Sequence, residues 1–185
     1  MDKILFVDSC TRKDKSRTLT LAKALLNKLN GDVEYLDINT DTPLPLTEET
    51  LELRDKLSQE KKFDDSFFRY ANQFASADII IIAAPYWDMS FPAVLKSYIE
   101  QVSVCGITFH YTNEGIPEGL CKCKKLYYVT TAGGYTENMN FGYDYIKGMC
   151  NIYYGIKDVE FISAEGLDIW GNDPEKILSD AINNI

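Results

Sequence analysis

The sequence predicts an α/β fold of three layers: an open, five-stranded parallel sheet with helices on both faces. Three observations carry this. Apolar runs of strand length alternate with amphipathic segments of helix length along the whole chain. The run Asp78-Ile-Ile-Ile-Ile-Ala-Ala84 has no polar face, so its strand must be covered on both sides, as central strands of parallel sheets are. And 185 residues suit one domain, spanning 1–185, with enough chain to bury a full sheet core.

The elements follow in order. Lys3 to Val7 is a continuous apolar run that ends in the small polar stretch Asp8-Ser9-Cys10-Thr11, the pattern of a buried parallel strand and its loop. Leu19, Ala22, Leu25, Leu26 and Leu29 then recur at three- and four-residue spacing, with Ser16 or Thr18 as cap and Gly31 just past the end. Asp32 to Asp37 alternates as a second strand. Two prolines mark 40–45 as loop. The polar, helix-favouring 47–62 stretch reads as a surface helical arm. A helix near Asp64 to Ser76 buries Phe67, Phe68, Ala71 and Phe74.

After the isoleucine strand, Pro85 to Pro92 is a loop leading into a helix through Val94, Leu95, Tyr98, Ile99 and Val102. A long connection, Gly106 to Lys124, precedes a fourth strand at Lys125 to Thr131. Beyond Gly133-Gly134 come a helix near Tyr143 to Tyr154, a fifth strand near Val159 to Ala164, and a last helix from Pro174. No internal repeat or low-complexity segment interrupts the series.

Composition narrows the function classes. A formal charge of −9 argues against a nucleic-acid binder, since no broad basic face supplies counterion release. No apolar run approaches a membrane span, so no membrane insertion is expected. Met1-Asp2-Lys3 leads straight into a strand-like run without the sections of a signal peptide, which points to the cytoplasm. Five cysteines, an odd number, are then expected as reduced thiols. Cys121-Lys-Cys123 has no second pair beside it, and His110 is the only histidine, so no metal site is expected.

Ligands of such sheets bind beyond the carboxyl ends of the strands where strand order reverses, between strands one and three for the order 2-1-3-4-5. Three loops there are unusual. The first, Ser9 to Thr18, lacks both G-x-G-x-x-G and the Walker spacing. Its hydroxyls at Ser9, Thr11, Ser16 and Thr18 lead into a helix start, and Arg12, Lys13, Lys15 and Arg17 crowd it with positive charge. Two readings fit: a phosphate cradle at a helix amino terminus, or plain helix capping beside a solvated charge run. The second loop, Pro85-Tyr-Trp-Asp-Met-Ser-Phe-Pro92, sets adjacent aromatics at the end of the most buried strand. Two readings fit again: contact of the Tyr86–Met89 backbone with a flat ligand, or Tyr86, Trp87 and Phe91 capping the core, which accounts well for at least Phe91. The third, Thr130-Thr-Ala-Gly-Gly-Tyr135, allows close backbone approach at its glycines.

At these residues the sequence resembles the FMN-dependent NAD(P)H:quinone oxidoreductases and azoreductases of the flavodoxin-like superfamily. The resemblance runs from Lys3-Ile-Leu-Phe to Ala164-Glu-Gly. Its most specific stretches are A-A-P-Y-W-D-M-S-F-P-A-V-L-K-S-Y at 83–98, G-I-T-F-H-Y-T-N-E-G-I-P-E-G-L at 106–120 and T-T-A-G-G at 130–134. It implies that Ser9, Cys10, Ser16, Arg17 and Thr18 surround the FMN phosphate. It implies that Pro85, Tyr86, Trp87, Asp88 and Met89 run along the isoalloxazine, and that Thr131, Ala132, Gly133 and Gly134 close its other side. It further implies a homodimer in which Tyr111 and Tyr153 help sandwich the acceptor. His110, a lone histidine in a long polar connection, reads from the residues alone as a solvated or pocket-rim group.

The implied activity is transfer of two electrons from NADH or NADPH, through bound flavin, to a quinone- or azo-type acceptor; the flavin carries the chemistry and no catalytic side chain is required. Two positions depart from the pattern: Asp88 stands where Asn is frequent, and Ala132 where Arg or a polar residue is. An acid near the ring disfavours negative charge on reduced flavin. A structural role for Cys10 is expected over a redox role. The rival readings are a flavodoxin-like electron carrier without direct NAD(P)H oxidation and a binding protein that keeps the fold without the cofactor.

Overall fold

The computed structural model describes residues 1–137 and 139–185. In chain order its elements are β1 (Asp2–Asp8), α1 (Arg17–Leu26), β2 (Gly31–Asp37), α2 (Glu48–Gln59), α3 (Arg69–Ser76) and β3 (Ile79–Ala83). There follow α4 (Ala93–Val102), β4 (Phe109–Tyr111), β5 (Pro117–Gly119), β6 (Lys125–Thr131), α5 (Phe141–Met149), β7 (Val159–Ala164) and α6 (Pro174–Asn183). Five strands pair in parallel in the order β2-β1-β3-β6-β7. That is the expected 2-1-3-4-5 arrangement with the strands of the small hairpin left out of the count.

The two-residue period of the strands divides the interior into two cores. Leu5, Val7, Ile80, Ile82, Leu126 and Tyr128 project to one side, among Phe74, Leu95, Tyr98, Ile99 and Ile146 of α3, α4 and α5. Ile4, Phe6, Ile81, Ala83 and Val129 project to the other, against Leu19, Leu21, Ala22 and Leu25 of α1. Alternate isoleucines of β3 therefore serve opposite cores, and Ile80, Ile81 and Ile82 are wholly buried. Each such side chain contributes about 1.5–3 kcal/mol of burial.

Local chemistry sets the element ends. Ser16, not Thr18, caps α1: its Oγ accepts the Leu19 N–H at 3.3 Å. Thr47 and Thr50 form a reciprocal capping box on α2, whose one buried residue, Leu57, packs in a satellite cluster with Phe68, Val104 and Ile107. Gly31 opens β2 rather than ending α1, because a Cβ there would lie 2.6 Å from the Asp2 carbonyl oxygen.

Three segments differ from the sequence reading. The helix expected near Asp64 to Ser76 begins as a 3-10 turn, Ser66–Phe68, and is α-helical only from Arg69. The 106–120 connection holds an antiparallel hairpin, β4 with β5. Its strands are three residues each, too short to show an alternating pattern. The helix expected through Tyr154 stops as an α-helix at Met149 and finishes in a single π-helical turn, Cys150–Tyr154, closed by left-handed Gly155 (φ 75°). Among the described residues no helix is long and apolar enough to cross a membrane.

Candidate functional site

β1 leads into α1 on one face of the sheet, while its neighbour β3 leads into α4 on the other. Their loops diverge, and the crevice this opens is where α/β sheets bind ligands. A cleft of about 220 Å³ lies there.

One wall is the 11–18 segment. The first-turn N–H groups of Arg17 and Thr18 have no partner within α1, and both residues line the cleft with Thr11, Arg12, Lys15 and Ser16. Lys13 turns away to an ion pair with Asp37. Burial alone would raise the Asp37 carboxyl, but hydrogen bonds from Lys13, Thr40 and Asn39 hold it down at about 2. Among the described residues Arg12 and Lys15 have no ion-pair partner. Two cations without an ion-pair partner among the described residues, a capping serine and the positive end of a helix give this wall a positive potential.

The second wall is the 85–90 turn. Trp87 and Ser90 exchange backbone hydrogen bonds of 3.0 and 2.8 Å, and both residues between them are left-handed, Asp88 at φ 50° and Met89 at φ 66°. Positive φ at both central positions is the pattern of a type I′ turn. Asp tolerates it; for Met it costs about 1–2 kcal/mol. Tethers hold the turn in place: Tyr86 N–H donates to Thr131 O at 3.2 Å and Phe141 N–H to Met89 O at 3.1 Å, and the Tyr86 hydroxyl donates to Met139 O at 2.9 Å.

The 131–134 segment closes the cleft. Thr131 Oγ1 and Thr18 Oγ1 share a hydrogen bond of 2.6 Å across its floor. Ala132, Gly133 and Gly134 pair through their backbones with the 164–168 stretch: Ala132 N–H to Ala164 O at 3.0 Å, Asp168 N–H to Gly133 O at 2.9 Å and Gly166 N–H to Gly134 O at 3.0 Å.

The expected residues thus separate into three groups. Ser16, Arg17, Thr18, Pro85, Tyr86, Trp87, Thr131 and Gly133 line the cleft together. Ser9, Cys10 and Ala132 lie beneath it, buried. Ser9 locks β1 to β3, its N–H and Oγ both donating to Ala83 O, at 3.0 and 2.8 Å. The Cys10 N–H donates to Asp8 Oδ1 at 2.7 Å, and burial pushes its thiol far up. Asp88 and Met89 stand exposed at the turn's tip, and Gly134 has open space on its side-chain side.

Tyr111, Tyr153 and His110 do not line the cleft. The rings of Tyr111 and Tyr153 pack edge-on against Phe109 at centroid distances of 5.5 and 5.1 Å, and His110 faces Glu118 across the hairpin at 3.2 Å. Sequence reasoning missed one lining residue outright. Asp168 holds the Arg17 guanidinium through both carboxylate oxygens, at 2.9 and 3.1 Å. The signal was available in the loop after the last strand, which also ends at the binding edge of the sheet.

A family described as having the flavodoxin-like fold matches residues 2–185. The FMN-dependent NADH:quinone oxidoreductase 2 of Clostridium acetobutylicum is 38% identical, covering 98% of this chain and 95% of its own. The FMN-dependent NADH:quinone oxidoreductase of Clostridium beijerinckii is 34% identical over 99% of this chain and 96% of its own. Among solved structures, an azoreductase from Bacillus anthracis superposes with a TM-score of 0.86 at 26% identity, covering all of this chain and 96% of that one.

Proposed function

This chain belongs to the flavodoxin-like family of FMN-dependent NADH:quinone oxidoreductases and azoreductases, and from that premise we propose that the cleft between β1, β3 and β6 holds FMN. The chain is an oxidoreductase that passes two electrons from NADH to a small acceptor of quinone or azo type. The enzyme reading stands above the carrier reading, because the relatives named are oxidoreductases over nearly the whole length of this chain.

The observation that carries the assignment is the donor set. Unpartnered N–H groups at the start of α1, the Ser16 and Thr18 hydroxyls and the free cations Arg12 and Lys15 suit a phosphoryl dianion. The strained 85–90 turn, held by three tethers, suits the edge of a flat ring, since conformational strain persists where the surroundings over-determine it. Thr131 and Gly133 offer a wall without bulk on the other side.

Bound FMN would supply the two-electron redox chemistry between nicotinamide and acceptor. The protein's part is to hold and orient. The α1 terminus and its cations would hold the phosphate, and the 85–89 backbone with the Trp87 side chain, which lines the cleft, would hold the ring. Cys10 stays protonated and buried, a packing residue under the phosphate loop.

The acceptor pocket is completed by a second copy of the chain. Tyr111 and Tyr153 lie outside this cleft, and Trp87, Met89, Tyr135, Met139 and Phe141 are exposed around the turn and the start of α5. Apolar exposure of that kind suits a subunit interface, so the working form is a homodimer. Purified protein incubated with FMN, gel-filtered and mixed with NADH under anaerobic conditions tests the reading. Bound flavin absorbance that bleaches and then returns on addition of benzoquinone supports it. Protein that emerges colourless contradicts it.

A further inference from the structure

Among the described residues Asp168 is the one acid lining a cleft otherwise walled by cations, hydroxyls, aromatics, proline and glycine. We infer that Asp168 is a positioning residue whose carboxylate aims the Arg17 guanidinium at the phosphoryl group the cleft receives. This rests on the FMN reading above.

The contacts form a chain across the cleft. Arg17 Nη2 donates to Asp168 Oδ1 and Oδ2 at 2.9 and 3.1 Å, and Nη1 donates to Leu167 O at 3.3 Å. Those bonds occupy one edge of the planar fork and fix its plane, while guanidinium donors remain on the other edges for a second acceptor. Asp168 is anchored in turn. Its N–H donates to Gly133 O at 2.9 Å, and its carboxylate fills the place of the side chain that Gly133 lacks: a Cβ there would meet Asp168 Oδ2 at 2.5 Å. A glycine at 133 leaves room for the acid, and the acid links the 131–134 wall to the first turn of α1.

A carboxylate near a phosphate site also repels, so the two effects must be weighed. The Asp168 side chain is 65% exposed, and solvent and salt screen its field at any group beyond Arg17. Its grip on Arg17 is direct and two-pronged, and a guanidinium already held loses less freedom when it meets an anion. Positioning outweighs repulsion.

Titration of the flavin-free protein with FMN and with riboflavin, which lacks the phosphate, tests this through flavin fluorescence. Asp168→Ala weakens FMN binding about three- to fivefold and leaves riboflavin binding unchanged. Asp168→Asn, which keeps one acceptor oxygen, falls between. In an Arg17→Met background Asp168→Ala brings no further loss. Thermal unfolding confirms that each variant is folded. Equal losses for both flavins, or tighter FMN binding in Asp168→Ala, overturn the inference while leaving the cofactor assignment standing. Wild-type protein that binds no FMN overturns the cofactor assignment and the inference together.

Discussion

Replacing Gly142 by alanine tests how tightly the 85–90 turn is built into the fold. Gly142 is the second residue of α5 and buried. A Cβ there would lie 2.7 Å from the Tyr128 hydroxyl, 3.0 Å from Phe91 Cδ1 and 3.1 Å from the Ser90 carbonyl carbon, against about 3.5–4.0 Å for comfortable contact. Tyr128 cannot retreat: it is wholly buried, with Tyr143 and Phe161 at ring-centroid distances of 6.0 and 6.3 Å. The 85–90 turn must move instead. Overpacking of this kind costs about 1–3 kcal/mol, and the helix-propensity gain of alanine over glycine returns up to about 1 kcal/mol. With the full propensity gain the net loss is up to about 2 kcal/mol, which corresponds to a Tm lower by up to about 8 °C in a chain of this size. Thermal unfolding by circular dichroism reads the stability, and FMN titration reads the displaced turn as weaker binding. A variant with wild-type Tm and wild-type FMN affinity refutes the reasoning.

Asp88→Asn keeps the left-handed turn, since Asn tolerates positive φ, and removes one exposed charge near the ring. The flavin midpoint potential rises, by on the order of 10 mV; potentiometric titration that shows no rise counts against a ring-side position for residue 88. Iodoacetamide under native conditions labels exposed Cys105 first, whereas Cys10, Cys123 and Cys150 are buried with thiols pushed up by burial; peptide mass spectrometry that finds Cys10 labelled early contradicts its packing role. Asp37, whose carboxyl is held down at about 2, contributes stability that is present above its ordinary pKa near 3.8 and lost as pH falls through 2. Asp37→Asn is therefore less stable than wild type at pH 6, and the gap closes on acidification; equal acid sensitivity of the two proteins in urea unfolding would show that the Lys13–Asp37 contact does not persist in solution.

The sheet was legible because its signals are strong and local. Four consecutive isoleucines admit only a strand covered on both sides, and β3 splits them between two cores. Ser16, Arg17 and Thr18 are contiguous in sequence, and they line the cleft together. What was not legible depends on contacts distant in sequence. The hairpin at 109–119 is held by its packing on the turn after α5: a Cβ on Gly119 would lie 2.1 Å from the Gly155 nitrogen, a closeness that no local pattern announces. Asp168 meets Arg17 across 151 residues. Tyr111 and Tyr153 were placed in a pocket by resemblance, and within one chain they pack around Phe109 away from the cleft.

The most direct test of the central claim is a titration of the purified, flavin-free protein with FMN, followed by anaerobic addition of one equivalent of NADH and then of a quinone. The account requires FMN to bind at one site per chain, NADH to bleach the bound flavin and the quinone to restore its colour. FMN that stays free in solution, or bound flavin that NADH leaves oxidised, contradicts it.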